Sequence, residues 1–247
     1  MVNGMKKRIF AFILCFVITL SAAPCVSAAP KSIESSVQLV DYSLLQRRNG
    51  FSPITIVEAV LHRGRGDEAI YLITLDGLCP TVKNPNNLAA VLLSSMNLST
   101  SYLRKLKSMV KENVPKNSKL VLYGFSLGGM IAQQFAGDRE IRNSYEIIHT
   151  VVAGSPRVCT FSREGGISYL ALVGDLVPYL PTLGVLSFLT DFSYESGDYG
   201  FLLYTAHSKG YSRTDIWGEY DCLGIKGGSA FITIGPDAKM FTTLYVE

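Results

Sequence analysis

The chain has 247 residues, 48% of them hydrophobic, with 23 Lys+Arg against 20 Asp+Glu. Without Lys6, Lys7 and Arg8 the 23 basic residues fall to 20, equal to the acidic count. A near-neutral chain with no basic block lacks the surface that neutralises phosphates, so nucleic acid is excluded as the expected partner.

In chain order, the first element is a targeting segment. Lys6, Lys7 and Arg8 form a basic start, Ile9 to Ala23 is apolar or small, and Val26-Ser27-Ala28 offers small residues before a cut. This signature predicts a secretory signal peptide over residues 1–28, cleaved between Ala28 and Ala29. The expected mature protein is exported, to the outside or the cell envelope, and forms a single domain over 29–247. The competing reading is an uncleaved membrane anchor, because no charge follows until Lys31. Its apolar core is short against the roughly 20 residues of a span. Pro24 directly before Cys25 fits a lipoprotein site badly.

"ITIVEAVLHR" (residues 54–63) is expected to be a short helix. From residue 69 strand-like and helix-like stretches alternate. "AIYLITL" (69–75) reads as a buried strand and "NLAAVLLSSM" (87–96) as a helix. "SYLRKLKSMVKENV" (101–114) places Leu103, Leu106 and Val110 on one helical face with lysines between, and Pro115 ends it. "KLVLYG" is the next strand, followed by a helix from about Leu127 to Ala136. "IIHTVVAG" and "ISYLALVGD" are two more strands. "AFITI" and "FTTLYV", around Gly235-Pro236-Asp237, read as a terminal hairpin. Apolar runs without alternation suit strands covered on both faces. The expected fold is therefore α/β, with a mostly parallel central sheet and helices on both faces.

Three cysteines remain beyond the signal, Cys79, Cys159 and Cys222. They have no metal-ligand spacing, and at most one bridge can form among them. They read as buried apolar residues.

Gly124-Phe125-Ser126-Leu127-Gly128 spells G-x-S-x-G between a strand and a helix. At such a corner the serine stands exposed on a strained turn, and flanking glycines keep Cβ atoms out of a tight crossing. The helix N-terminus turns N–H groups toward the site, where negative charge would develop. A serine needs a base to take its proton. The chain holds only His62, His149 and His207. In this arrangement the order is serine, acid, histidine. His62 precedes the serine, and His149 lies inside an apolar strand, where packing is its expected role. His207 remains, in a loop-like "TAHSKGY" stretch. The orienting acid should leave a strand end between the two. Asp175 ends "ISYLALVGD" before two prolines, at the edge of a parallel sheet that carries ligand sites. Asp191 and Asp198 are its rivals. The oxyanion donors expected are the N–H of Leu127 and, from the loop after "YLITL", the N–H of Leu78, beside Gly77.

"LYGFSLGGMIA", "VVAGSPRV", "ALVGDLVPYLP" and "AHSKGY", in that order, resemble the class 3 lipase family of α/β-hydrolases. The resemblance covers about Ala69 to Leu223. It implies the α/β-hydrolase fold and a Ser-His-Asp carboxylic-ester hydrolase, often acting on lipids, without metal or organic cofactor. It places Ser126 as nucleophile, Asp175 as orienter and His207 as base. The chain departs from the family in three places. Leu78 stands where a hydroxyl residue usually follows the oxyanion-loop glycine, Asp76 replaces what is often a basic or small residue, and Phe125 replaces the commoner histidine of the serine motif.

The expected function is hydrolysis of lipid or other apolar acyl esters through an acyl-enzyme, with transient contact to a lipid surface. Pro178 to Tyr204, rich in apolar and aromatic residues, reads either as an acyl pocket or lid or as ordinary core. Two rivals stand: a catalytically weak hydrolase-fold module that binds lipid, and a serine hydrolase acting on thioesters or carbohydrate esters.

Overall fold

The computed structural model describes residues 32–48, 51–64, 66–79, 84–158, 164–179, 192–196 and 203–244. The expected signal segment and Cys159 lie outside them, as do Asp191, Asp198 and most of the stretch from 178 to 204. A short strand β1 (Ser32–Ile33) leads into helix α1 (Ser36–Arg48).

The expected short helix at 54–63 is instead a strand, β2 (Phe51–Arg63). It turns at Gly64 into β3 (Gly66–Leu75), and the two pair antiparallel from Ile54 opposite Leu75 to Arg63 opposite Gly66. Ile54, Thr55, Ile56 and Val57 are β-branched, a run that loses rotamer freedom in a helix and packs well on a pleated surface. Burial on both faces hid the alternation. Ile54 and Ile56 enter one core while Val57, Ala59 and Leu61 enter the other.

The middle of the chain follows the predicted order. Helix α2 (Leu88–Ser95) begins at Asn87, whose side chain accepts the Ala90 N–H at 3.3 Å. Helix α3 (Ser101–Asn113) begins at Thr100, whose hydroxyl accepts the Leu103 N–H at 3.0 Å. Each cap satisfies a donor that the first helical turn leaves open. Then come β4 (Lys119–Phe125), α4 (Leu127–Gly137), the short α5 (Arg139–Arg142), β5 (Glu146–Ala153) and β6 (Gly166–Val173). Beyond β6 lie a 3-10 turn (Val177–Tyr179), β7 (Phe192–Ser196), α6 (Leu203–Lys209), a second 3-10 turn (Gly210–Ser212), α7 (Thr214–Trp217), β8 (Phe231–Thr233) and β9 (Met240–Leu244).

The described strands form one sheet in the order β1-β8-β2-β3-β4-β5-β6-β7, with β9 also on β2. From β3 to β7 every pairing is parallel. The expected terminal hairpin does not form. β8 pairs antiparallel with residues 60–62 of β2, and β9 with residues 51–57. Because β2 has 13 residues, it takes both short strands end to end along one edge. Tyr42 of α1, Tyr211 and Trp217 fill the core on one face, with Val57, Leu72, Val121 and Val151. Leu106 and Val110 of α3, and Ile131 and Phe135 of α4, fill the other, with Ile73, Leu120 and Leu122. This is the mixed sheet with two helical layers of an α/β-hydrolase fold.

Candidate active site

Ser126 is the single residue between β4 and α4, with φ 54° and ψ −121°. A side chain other than glycine pays for such backbone angles in strain, and the surroundings must over-determine them. They do so by close packing. A Cβ on Gly124 would lie 2.4 Å from the Gly128 carbonyl oxygen and 2.6 Å from Gly129 Cα. A Cβ on Gly128 would lie 2.2 Å from the Leu75 carbonyl oxygen. The helix start is thus pressed against its own strand and against the end of β3. The Ser126 N–H donates to the Ala153 carbonyl at the end of β5 (2.9 Å), and its carbonyl accepts from Gly129 (3.0 Å).

The "GSPRV" turn after β5 is tied to the same helix by Gln133, which is fully buried. Its amide nitrogen donates to the Gly129 and Pro156 carbonyls, at 3.1 and 2.9 Å. Its amide oxygen accepts the Val158 N–H (2.9 Å) and the Tyr169 hydroxyl (3.1 Å). A buried amide with its capacity used this fully rigidifies what it joins.

Asp175 follows β6 and is 0% exposed. Its Oδ1 accepts the Val177 N–H at 2.9 Å. Its Oδ2 accepts from His207 Nδ1 at 2.9 Å and from the Tyr211 hydroxyl at 2.8 Å. A carboxylate only accepts, so Nδ1 carries the proton and Nε2 is left to accept. Nε2 lies 3.1 Å from Ser126 Oγ. The imidazole stacks on Phe125, with centroids 4.8 Å apart. His207 sits on α6 rather than in the loop expected for it. "LYTAHSK" contains no glycine or proline to break a helix, and Gly210 marks where α6 passes into the 3-10 turn.

The loop after β3 lies against the serine, since a Cβ on Gly77 would stand 3.2 Å from Ser126 Cβ. This loop is fastened on both sides of Leu78. The Tyr102 hydroxyl lies between the Pro53 and Asp76 carbonyls (2.8 and 3.0 Å), sharing its proton with them, and the Asn86 amide donates to the Gly77 carbonyl (2.6 Å). The Cys79 N–H donates to the Asn86 carbonyl at 2.8 Å. Leu127 is the first residue of α4, so its N–H belongs to the open end of that helix.

The fold therefore brings Ser126, His207 and Asp175 into one hydrogen-bonded line, with Leu127 and the loop of Leu78 beside the serine. It leaves the other histidines elsewhere. His62 on β2 bonds to Asp67 (2.7 Å) and Thr233 (2.9 Å) and stacks on Phe231. His149 on β5 bonds through Nε2 to Ser168 (2.9 Å), and burial pushes it down to about 4. Cys79 and Cys222 are free thiols. Among the described residues no group of three or more His, Cys, Asp or Glu is placed to hold a metal ion. None of their helices is long and apolar enough to cross a membrane.

Gln133 and Asn86 fall outside every sequence expectation for the site, and Tyr211 closes the "AHSKGY" stretch without an expected role of its own. Tyr211 carried one usable signal: it stands four residues after His207, the spacing of neighbours on a helical face. Gln133 and Asn86 carried none, because their partners are backbone groups of distant loops.

No family model matches the chain, and no curated protein does. Among solved structures, the Lip2 lipase from Yarrowia lipolytica is remotely similar. It is 14% identical over 61% of this chain and 67% of that chain, with a TM-score of 0.28. Its nonglycosylated form is 12% identical over 77% of this chain and 75% of that chain, with a TM-score of 0.30.

Proposed function

We propose that the protein is a serine hydrolase of carboxylic esters, acting on lipids or other apolar acyl groups. The observation that carries the reading is the relay from Asp175 Oδ2 through His207 to Ser126 Oγ, at 2.9 and 3.1 Å, with the serine held at a strained strand-to-helix corner. His207 Nε2 takes the Oγ proton as Ser126 attacks the ester carbonyl. Asp175 holds the imidazole in the required tautomer and balances its positive charge. The N–H groups of Leu127 and Leu78 receive the oxyanion. His207 then gives the proton to the leaving alcohol. Water enters, His207 takes its proton, and the acyl-enzyme is released by the same steps.

The predominantly apolar composition of the stretch from Pro178 to Tyr204, between the proposed acid and base, supports an apolar acyl group. The basic and apolar N-terminus supports export with removal of residues 1–28. The test is a panel of chromogenic esters of graded chain length, run beside labelling by a fluorophosphonate. Labelling of the wild type at Ser126, with turnover on the longer esters, is expected. A purified, folded protein that neither labels nor turns over any ester is instead a hydrolase-fold module that binds without chemistry. Turnover confined to thioesters or carbohydrate esters would move the substrate class.

A further inference from the structure

Beyond the three residues of the relay, a fourth polar group reaches the same oxygen. The Tyr211 hydroxyl donates to Asp175 Oδ2 at 2.8 Å, the atom that also accepts His207 Nδ1. The same hydroxyl accepts the Leu172 N–H, at 3.2 Å, from the last turns of β6. Its proton and one lone pair are therefore both engaged. The ring has no freedom to leave. It packs edge-on against Phe125 (5.8 Å) and parallel to Trp217 (5.8 Å), and Tyr211 is 3% exposed. Phe125 in turn supports the imidazole of His207. One side chain thus touches the acid through its hydroxyl and the base's platform through its ring.

We propose that Tyr211 is a positioning residue that fixes Asp175 Oδ2 opposite His207 Nδ1 and limits how much negative charge that oxygen presents to the imidazole. The inference rests on the hydrolase reading for its effect on rate, but not for its effect on the hydrogen bond.

The chemistry gives the sign. A second donor on Oδ2 shares the carboxylate's charge, so the His207 N–H meets a weaker acceptor. Without the hydroxyl, Oδ2 has one donor fewer and the pair holds its proton more tightly. The phenol itself stays protonated through the working range, because burial and then the Asp175 charge push it well above its ordinary value. Among the described residues, the titratable groups facing this point are Asp175 and Tyr179 from the β6 side and His207 from α6.

The test is Tyr211→Phe, which keeps the ring and removes the hydroxyl. The first readout needs no turnover: the His207 Nδ1–H proton resonance should move downfield. The second is the pH profile of kcat/KM. Its acid limb should move up by about half a pH unit to one unit, with kcat down about tenfold and KM unchanged. A purely structural hydroxyl would lower Tm through the orphaned Leu172 N–H and move neither signal. Replacing Tyr211 by 3-fluorotyrosine keeps the shape and strengthens the donor, so both signals should move the opposite way. That replacement also decides the matter where Tyr211→Phe does not fold. A resonance and acid limb that stay fixed in both variants overturn the inference and leave the hydrolase reading intact. A shifted resonance in a protein without ester turnover sinks the hydrolase reading and leaves the role of Tyr211 standing.

Discussion

Among the described residues two places join a histidine to a serine near an aspartate, and they differ in layout. At the first, His207 links Ser126 and Asp175. At the second, His149 on β5 bonds Ser168 on β6 at 2.9 Å, with the Asp221 charge acting on it. Ser168 sits within an ordinary strand, paired through its backbone with Val151. No helix begins there. A glycine does lie alongside, since a Cβ on Gly224 would stand 3.0 Å from Ser168 Cβ, but it belongs to the turn that Asp221 holds. The Asp221 carboxylate is spent on backbone N–H groups of Leu223, Ile225 and Ala230, at 2.9 to 3.2 Å. It builds a turn and does not orient a ring. Residue types in proximity are therefore a poor signature of chemistry. What distinguishes Ser126 is its place at a strand's end, on a corner whose glycines admit a helix terminus and a second loop.

The contrast breaks most sharply by removing the proposed nucleophile. Ser126→Ala should keep the fold and lose ester turnover and fluorophosphonate labelling together, and His207→Ala should be nearly as damaging because the two act as one unit. Wild-type turnover in Ser126→Ala would make the two clusters equivalent and end the comparison. His149→Ala and Ser168→Ala should leave kcat within about twofold and lower Tm.

Asp175→Asn comes next and should cost about 10⁴-fold in kcat through the wrong imidazole tautomer. Asp221→Asn should affect stability and spare kcat. A larger kinetic loss from Asp221→Asn would reverse the assignment of the two clusters.

Leu78→Pro removes the proposed second oxyanion donor and should cost about 10²–10³-fold in kcat, with circular dichroism confirming the fold. Leu78→Ala keeps the N–H and should stay within about tenfold. Equal, full activity in both variants would place the second donor elsewhere.

The smallest effect separates the histidines by pH. Burial lowers His149 to about 4 in the folded chain, against about 6.5 in an unfolded one. The unfolded state therefore binds the extra proton first. The stabilisation from keeping this ring neutral is complete above about pH 6.5 and is lost as pH falls toward 4, a span worth roughly 3 kcal/mol. His149→Gln should flatten Tm against pH across that window. An unchanged slope would mean that other groups set the acid limb of stability.

The second cluster also explains what the sequence could and could not disclose. Ser126, His207 and Asp175 were legible because a backbone motif, a short roster of histidines and a proline-terminated strand each narrowed the choice. In the parallel half of the sheet β3, β4, β5 and β6 were legible because each is a compact apolar run, whereas β7, with the sequence FSYES, was not. Nor was the antiparallel edge. β2 buries both faces, so its alternation is masked, and β8 and β9 choose β2 over each other because of its length rather than any local turn signal. Tyr211 and Gln133 act across 36 residues or between a helix and a distant loop. Such partnerships exist only once the chain has folded.

The position of β9 bears on how the chain is made. Residues 51–57 of β2 wait for residues 240–244 before that edge is covered, and residues 60–62 wait for 231–233. The parallel strands that carry the serine and the acid are synthesised well before then. Until β9 docks, the proposed catalytic corner stands beside an open, Ile- and Val-rich edge, a template for pairing with a neighbour. β9 thus covers that edge, with β2 and β3 between it and β4, whose end carries the serine.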